Sequence, residues 1–156
     1  HDSVMLSHHD TYMDIALEEA KLAACEDEIP VGAVIIKDET VIARAHNKTR
    51  QCSDPTAHAE ILAIKDAAHF LHNERLTGCL LYVTKEPCAM CAGAIVHARI
   101  EKLFIGTRDY RFGACGTVLT VCGSSQLNHI PEIMFGIQEE KCKKLLQDFF
   151  GKLRST

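Results

Sequence analysis

Apolar residues recur along the chain with two different periods. Met13, Ala16, Leu17, Ala20 and Ala24 return at helical spacing with charged residues between them, which predicts an amphipathic helix over about residues 9–26. Residues 31–36 and 40–45 are β-branched and apolar runs separated by Lys37, Asp38 and Glu39, the pattern of a strand, a tight turn and a strand. After a polar loop at 47–56, the Ala, Leu and Ile content of residues 59–70 predicts a mostly buried helix. Residues 80–84 read as a short strand closed by Pro87, residues 89–97 as a helix, and residues 102–105 as a strand ending before Gly106. Near the end Cys142, Leu145, Leu146, Phe149 and Phe150 form one helical stripe, and Glu139 and Glu140 suit the positive end of that helix dipole. Leu145, Leu146 and Phe149 are expected in the core, with Phe150 outside it. Strands alternating with helices predict an α/β domain: a central sheet with helices on its faces.

No repeat, low-complexity tract or linker divides the sequence, so one domain is expected over residues 5–156. His1 to Val4 are set aside as a remnant ahead of a start near Met5. A chain of 156 residues with 47% apolar content can bury its own core. The longest uncharged apolar run, residues 88–96, is too short for a membrane span, and no Arg/Lys-led signal opens the chain; a cytoplasmic protein without membrane contact is expected. Of eight cysteines only Cys88 and Cys91 stand close together, which reads as reduced thiols with one special pair.

That pair changes the picture when it is set beside His58-Ala59-Glu60. Each motif opens a predicted helix, and a borderline-soft divalent ion takes both imidazole nitrogen and thiolate sulfur. Cys88 and Cys91, at i and i+3 on a first helical turn, share a face and should ionise readily at a helix N-terminus. Three ligands, His58, Cys88 and Cys91, leave the fourth tetrahedral position of one Zn²⁺ per chain open to water, as catalytic rather than structural sites do. Glu60 is not needed as a ligand and is better placed as the general base that moves a proton from water to a substrate nitrogen and its leaving amine. A structural zinc half-site or a redox pair are the competing readings of C-x-x-C alone. A second C-x-x-C is absent, and the H-x-E partner is present.

H-x-E followed by P-C-x-x-C is the signature of the zinc deaminases, and the chain resembles the cytidine deaminase-like superfamily. Within it the resemblance is to the bacterial tRNA adenosine deaminases. It extends through residues 29–34, 54–60, 81–84, 91–95, 106–109, 113–117, 127–129 and 148–150. The resemblance implies a three-layer fold with a mixed sheet of about five strands, a homodimer, and conversion of the wobble adenosine of an arginine tRNA anticodon loop to inosine. It also implies that Asn47 contacts the purine, that Ile29, Val31 and Ala59 lie at the pocket, and that Arg108 and Asp109 hold flanking nucleotides. Phe149 and Phe150, with Lys152 or Arg154 near them, are expected to lean on the anticodon stem-loop. Tyr110-Arg111-Phe112 departs from the Pro or Ala followed by Lys that is usual there; Arg111 keeps the charge, and Tyr110 is the point of difference.

The net charge of −4 argues at first sight against RNA. It conceals a split: residues 1–40 hold 10 acids and 2 bases, residues 41–156 hold 11 acids and 15 bases, and from Lys141 onward there are five bases and one acid. A locally basic RNA surface on an acidic protein is consistent with that distribution. Two other classes of function share parts of the pattern. A deaminase of free bases or nucleotides would have the same zinc site without a basic rim, and a zinc-stabilised RNA-binding scaffold would have no use for Glu60.

Overall fold

The computed structural model describes residues 2–154, with side chains described from His8 onward. His1, part of the segment set aside above, lies outside the described residues. The first helix, α1 (Asp2–Cys25), starts earlier than the expected residue 9. No Gly or Pro occurs before Pro30, so nothing in the sequence interrupts a helix there. A hairpin follows, β1 (Gly32–Lys37) and β2 (Thr40–His46), turned by Asp38 and Glu39 at positive φ. Then come α2 (Ala59–Leu71), β3 (Leu80–Lys85), α3 (Ala89–Ala98), β4 (Lys102–Thr107), β5 (Glu132–Phe135) and α4 (Glu139–Arg154). Strand β5 is the element that the hydrophobic pattern did not yield. Its alternation lasts only four residues, with Ile133 and Phe135 packed inward and Glu132 and Met134 exposed.

The five strands form one mixed sheet in the order β2-β1-β3-β4-β5. Strand β1 is antiparallel to both β2 and β3, whereas β3, β4 and β5 run parallel. Parallel neighbours need crossovers, and α3 supplies the one between β3 and β4. Alternation divides the side chains of the central strands between two apolar layers. Ala33, Ile35, Leu81, Val83, Leu103 and Ile105 face α2 and α3, where Ala59, Ala63, Ala67, Ala92 and Ile95 meet them. Val34, Ile36, Tyr82 and Phe104 face the other way, toward Met13, Ala16 and Leu17 of α1 and Cys142 of α4. Tyr82 and Phe104 stack in parallel with centroids 4.4 Å apart. Complete burial of each large apolar side chain contributes about 1.5–3 kcal/mol, and both layers are needed to clothe a sheet buried on its two sides. This is the three-layer α/β architecture expected from the sequence.

Two expectations about the helices need correction. In α1 it is Ala23 that is buried, while Ala24 is only half-buried. In α4 Cys142 is the only buried residue; Leu145, Leu146 and Phe149 are half-buried, with α4 lying against β4, β3 and α1 on the outside of the layer. No helix among the described residues is long and apolar enough to cross a membrane.

Gly32 shows how closely α1 sits on the sheet. A Cβ there would lie 1.9 Å from the Ala16 carbonyl oxygen and 2.7 Å from the Ala20 nitrogen, both backbone atoms that cannot step aside. We expect Gly32→Ala to cost about 3 kcal/mol, roughly a 6–12 °C fall in Tm for a chain of this size, measurable by thermal unfolding.

Candidate active site

The helices α2 and α3 lie side by side on one face of the sheet, and both begin near one point. His58 caps α2 and Cys88 caps α3, each in extended backbone and neither with a side-chain capping bond. Both caps are therefore left free for another use. His58 Nδ1 is 3.7 Å from Cys88 Sγ and 3.4 Å from Cys91 Sγ. All three donor atoms lie within 4.8 Å of one another, a spacing that one metal ion can bridge.

The electrostatics of this trio fit a cation. The hydrogen bond from the Cys91 thiol, then the contact with His58, pushes Cys88 down to about 3 against the opposing effect of burial. The same contact with Cys88, followed by burial, pushes Cys91 up. His58 is raised, chiefly by its hydrogen bond to Cys88. These three groups compete for protons in one small volume, and a divalent ion can satisfy all of them at once.

Glu60, two residues into α2, is 3% exposed and its carboxyl is raised by burial, the largest influence on it. It lines a cavity of about 380 Å³ together with Ile29, Val31, Asn47, His58 and Cys88. That is room for a base and part of its sugar. Asn47 follows β2 and its side-chain oxygen accepts the Ala59 amide at 2.8 Å, so it caps α2 in place of His58. Since a backbone N–H can meet only the oxygen end of that amide, the NH₂ end of Asn47 is the one available to the cavity.

The expected site residues thus separate into a cavity group and a cleft group, with Ala59 and Phe149 in neither. Ile29, Val31, Asn47, Glu60 and Asp109 line the cavity beside the candidate ligands. Ala59 is fully buried and its amide is taken by Asn47. Arg108 and Phe150 instead line a neighbouring cleft between the end of β4 and α4. Arg108 lies 3.9 Å over the Phe135 ring and donates to Thr117 at 3.0 Å. Phe149 stands edge-on to Phe150, with centroids 5.5 Å apart, and lines neither space.

Sequence reasoning missed Lys85, Glu86 and Phe112, which also line the cavity. Glu86 is 2% exposed and collects the amides of Asp109, Cys115 and Thr117 at 3.0, 3.0 and 3.2 Å, with the Thr117 hydroxyl at 2.5 Å. Gly113 must lack a side chain because a Cβ would come within 2.5 Å of the Glu86 carboxyl. Glu28 does the same for the loop after Asn47: it is 1% exposed and accepts the Thr49 hydroxyl and the amides of Arg50 and Gln51. An acidic residue next to the Cys88 motif was a visible signal for Glu86, whereas Glu28 is indistinguishable in sequence from the acids around it.

Burial alone would raise the Glu28 carboxyl, but the bonds from Gln51, Arg50 and Thr49 outweigh it and hold the group below its ordinary range. A folded value below the unfolded one contributes stability that is complete above the unfolded value and is lost as pH falls through the folded one. Glu28→Gln should therefore cost about 2 kcal/mol at neutral pH. The gap to wild type should close on acidification; urea unfolding across a pH series reads it.

The model of the MafB19-like deaminase family matches residues 7–154 of this chain. The tRNA-specific adenosine deaminase of Aquifex aeolicus is 44% identical over 145 residues, covering 93% of this chain and 95% of the relative. That of Agrobacterium fabrum is 43% identical over 143 residues, covering 92% and 94%. A solved structure from a study of A-to-I editing by tRNA:A34 deaminases at the wobble position of transfer RNA superposes with a TM-score of 0.85 at 43% identity, over 87% of this chain and 99% of that one. With its sheet order, paired helix starts and His/Cys/Cys trio, this chain belongs to the MafB19-like deaminases and, among them, to the tRNA-specific adenosine deaminases.

Proposed function

We propose that this enzyme hydrolyses the wobble adenosine of a tRNA anticodon loop, that of arginine tRNA, to inosine and ammonia, with one Zn²⁺ per chain. The observation that carries the reading is a buried carboxylate, Glu60, lining one cavity with the imidazole and thiol of a three-donor trio. His58 Nδ1, Cys88 Sγ and Cys91 Sγ would hold the ion. Two soft sulfurs and an imidazole suit zinc, and three protein donors leave room for a further ligand. When bound, zinc supplies Lewis acidity and makes water a competent nucleophile near neutral pH.

Glu60 accepts a proton from the attacking water and delivers it to the ring nitrogen, then takes the remaining hydroxyl proton and delivers it to the departing amine as the C6–N bond breaks, so that water and adenosine become inosine and ammonia. Its burial favours the protonated form needed for the second half of that cycle. Asn47 orients the base through its NH₂ end, and Val31 and Ile29 wall the ring. Because C6 of a stacked base is out of reach, the adenosine must be splayed out of the loop into the cavity. Arg108, Asp109, Phe149 and Phe150 are assigned to the RNA around it. The resemblance further supports a cytoplasmic homodimer built from single domains spanning residues 5–156.

Purified protein should form inosine in a wobble-adenosine stem-loop, read by mass spectrometry of the digested RNA, and should do so far faster than it turns over free bases or nucleosides. Glu60→Ala should keep its zinc and lose about 10²–10⁴-fold in kcat. Inactivity of the wild type on every wobble-adenosine RNA would overturn the substrate assignment, and full activity of Glu60→Ala would favour a scaffold. A strong chelator should abolish turnover, with recovery on adding zinc; turnover by metal-free protein rules out the metal reading.

A further inference from the structure

Residues 109–113 form a turn whose polar groups are drawn inward. Asp109 Oδ1 accepts the amides of Arg111 and Phe112 at 2.9 and 3.1 Å, and Asp109 Oδ2 pairs with Lys85 Nζ at 3.1 Å. The Asp109 amide donates to buried Glu86, and the Gly113 amide closes the turn on the Asp109 carbonyl at 3.0 Å. A loop tied in this way is pre-organised, yet its two aromatic side chains are left in water: Tyr110 is 78% exposed and Phe112 is 62% exposed. Neither ring is committed to the core.

The two rings serve different concavities. Phe112 lines the cavity that holds Glu60. Tyr110 lines the neighbouring cleft of about 510 Å³, with Phe150 and the cationic side chains of Arg108, Arg111, Lys143 and Arg154. The Arg111 guanidinium lies 5.6 Å from the Phe112 ring centroid, so charge accompanies the aromatic face on both sides of the turn. Exposed rings on a rigid turn, bordered by cations and next to a base-sized cavity, are the elements from which unpaired nucleotides are recognised: stacking on the ring and attraction of the phosphate.

We propose that Phe112 and Tyr110 are stacking platforms for the unpaired nucleotides flanking the target base, one on each side of the turn, with the RNA strand passing from the cavity over the turn into the basic cleft. This rests on the reading of the site as an RNA deaminase. It assigns binding roles to two side chains, of which Tyr110 sets this chain apart from the usual family sequence, and a supporting one to Glu86, which holds their turn.

The test uses the full-length, zinc-loaded enzyme and an anticodon stem-loop in which 2-aminopurine replaces each neighbour of the wobble adenosine in turn. Tyr110→Ala and Phe112→Ala should each raise KM roughly tenfold and affect kcat less. The ring-retaining Tyr110→Phe and Phe112→Tyr should recover most of that loss. The 2-aminopurine fluorescence quenched on binding wild type should be restored at one neighbour by Tyr110→Ala and at another by Phe112→Ala. Wild-type editing with both alanine variants within twofold in KM overturns the stacking role alone, as do ring-retaining variants that fail as badly as the alanine ones. A wild type that neither binds nor edits the RNA overturns the underlying function and this inference with it.

Discussion

Everything in the active site depends on two helices beginning within a few ångströms of each other. Helices have unpaired amides and a positive dipole end at their start. That end favours thiolate at Cys88; Cys91, expected from the sequence to ionise as readily, is instead pushed up by its contact with Cys88 and by burial, and His58, the residue before α2, stands opposite both. The sheet sets the meeting. Strand β1 is antiparallel to both β2 and β3, so β2 and β3 run the same way and the segments they lead into α2 and α3 arrive at one end of the sheet, and small residues such as Ala59, Ala63 and Ala92 let both helices lie close to the strands. Giving both cap positions to donor residues would leave the α2 start short of a partner, and Asn47 makes good part of that deficit from the end of β2.

The loops around the cavity are ordered by a different interaction. Glu28 and Glu86 are almost wholly buried, and neither has Lys or Arg as its main partner; each gathers backbone amides and a threonine hydroxyl from a loop. A carboxylate can accept several such bonds, which offset its desolvation while fixing a stretch of chain that has no regular structure of its own. The segment after Asn47 and the segment after β4 therefore behave as parts of the scaffold. Residues on them that line the cavity, Asp109 above all, gain definition that an ordinary surface loop would not give.

Much of this was legible in the sequence. The runs at 31–36, 80–84 and 102–105 became strands with little change of boundary because their apolar character on both faces matches a sheet covered on both sides. His58, Glu60, Cys88 and Cys91 could be grouped because metal chemistry restricts residue type and spacing. Strand β5 was not legible, since four half-exposed residues leave no measurable period. The anchoring role of Glu28 was not legible either, and Glu86 was marked only by its place beside the Cys88 motif: which amides distant in sequence a carboxylate binds is set by the path of the backbone. Asn47 was recognised by family resemblance, but its bond to Ala59 emerges only in three dimensions.

That bond has a consequence for what the cavity can read. A free asparagine is ambidextrous, able to meet a donor or an acceptor by turning over. Asn47 has lost that freedom because its oxygen is spent on the protein's own helix. With its oxygen held at the helix start, its NH₂ end is the one that, under the proposed function, would meet a base. A base edge carrying a lone pair is met, whereas one carrying an amino group at the same place confronts two sets of hydrogens facing each other. Under the proposed function, selectivity among heterocycles would in this respect be prepared before any RNA arrives, by the way the protein closes the first turn of one of its own helices.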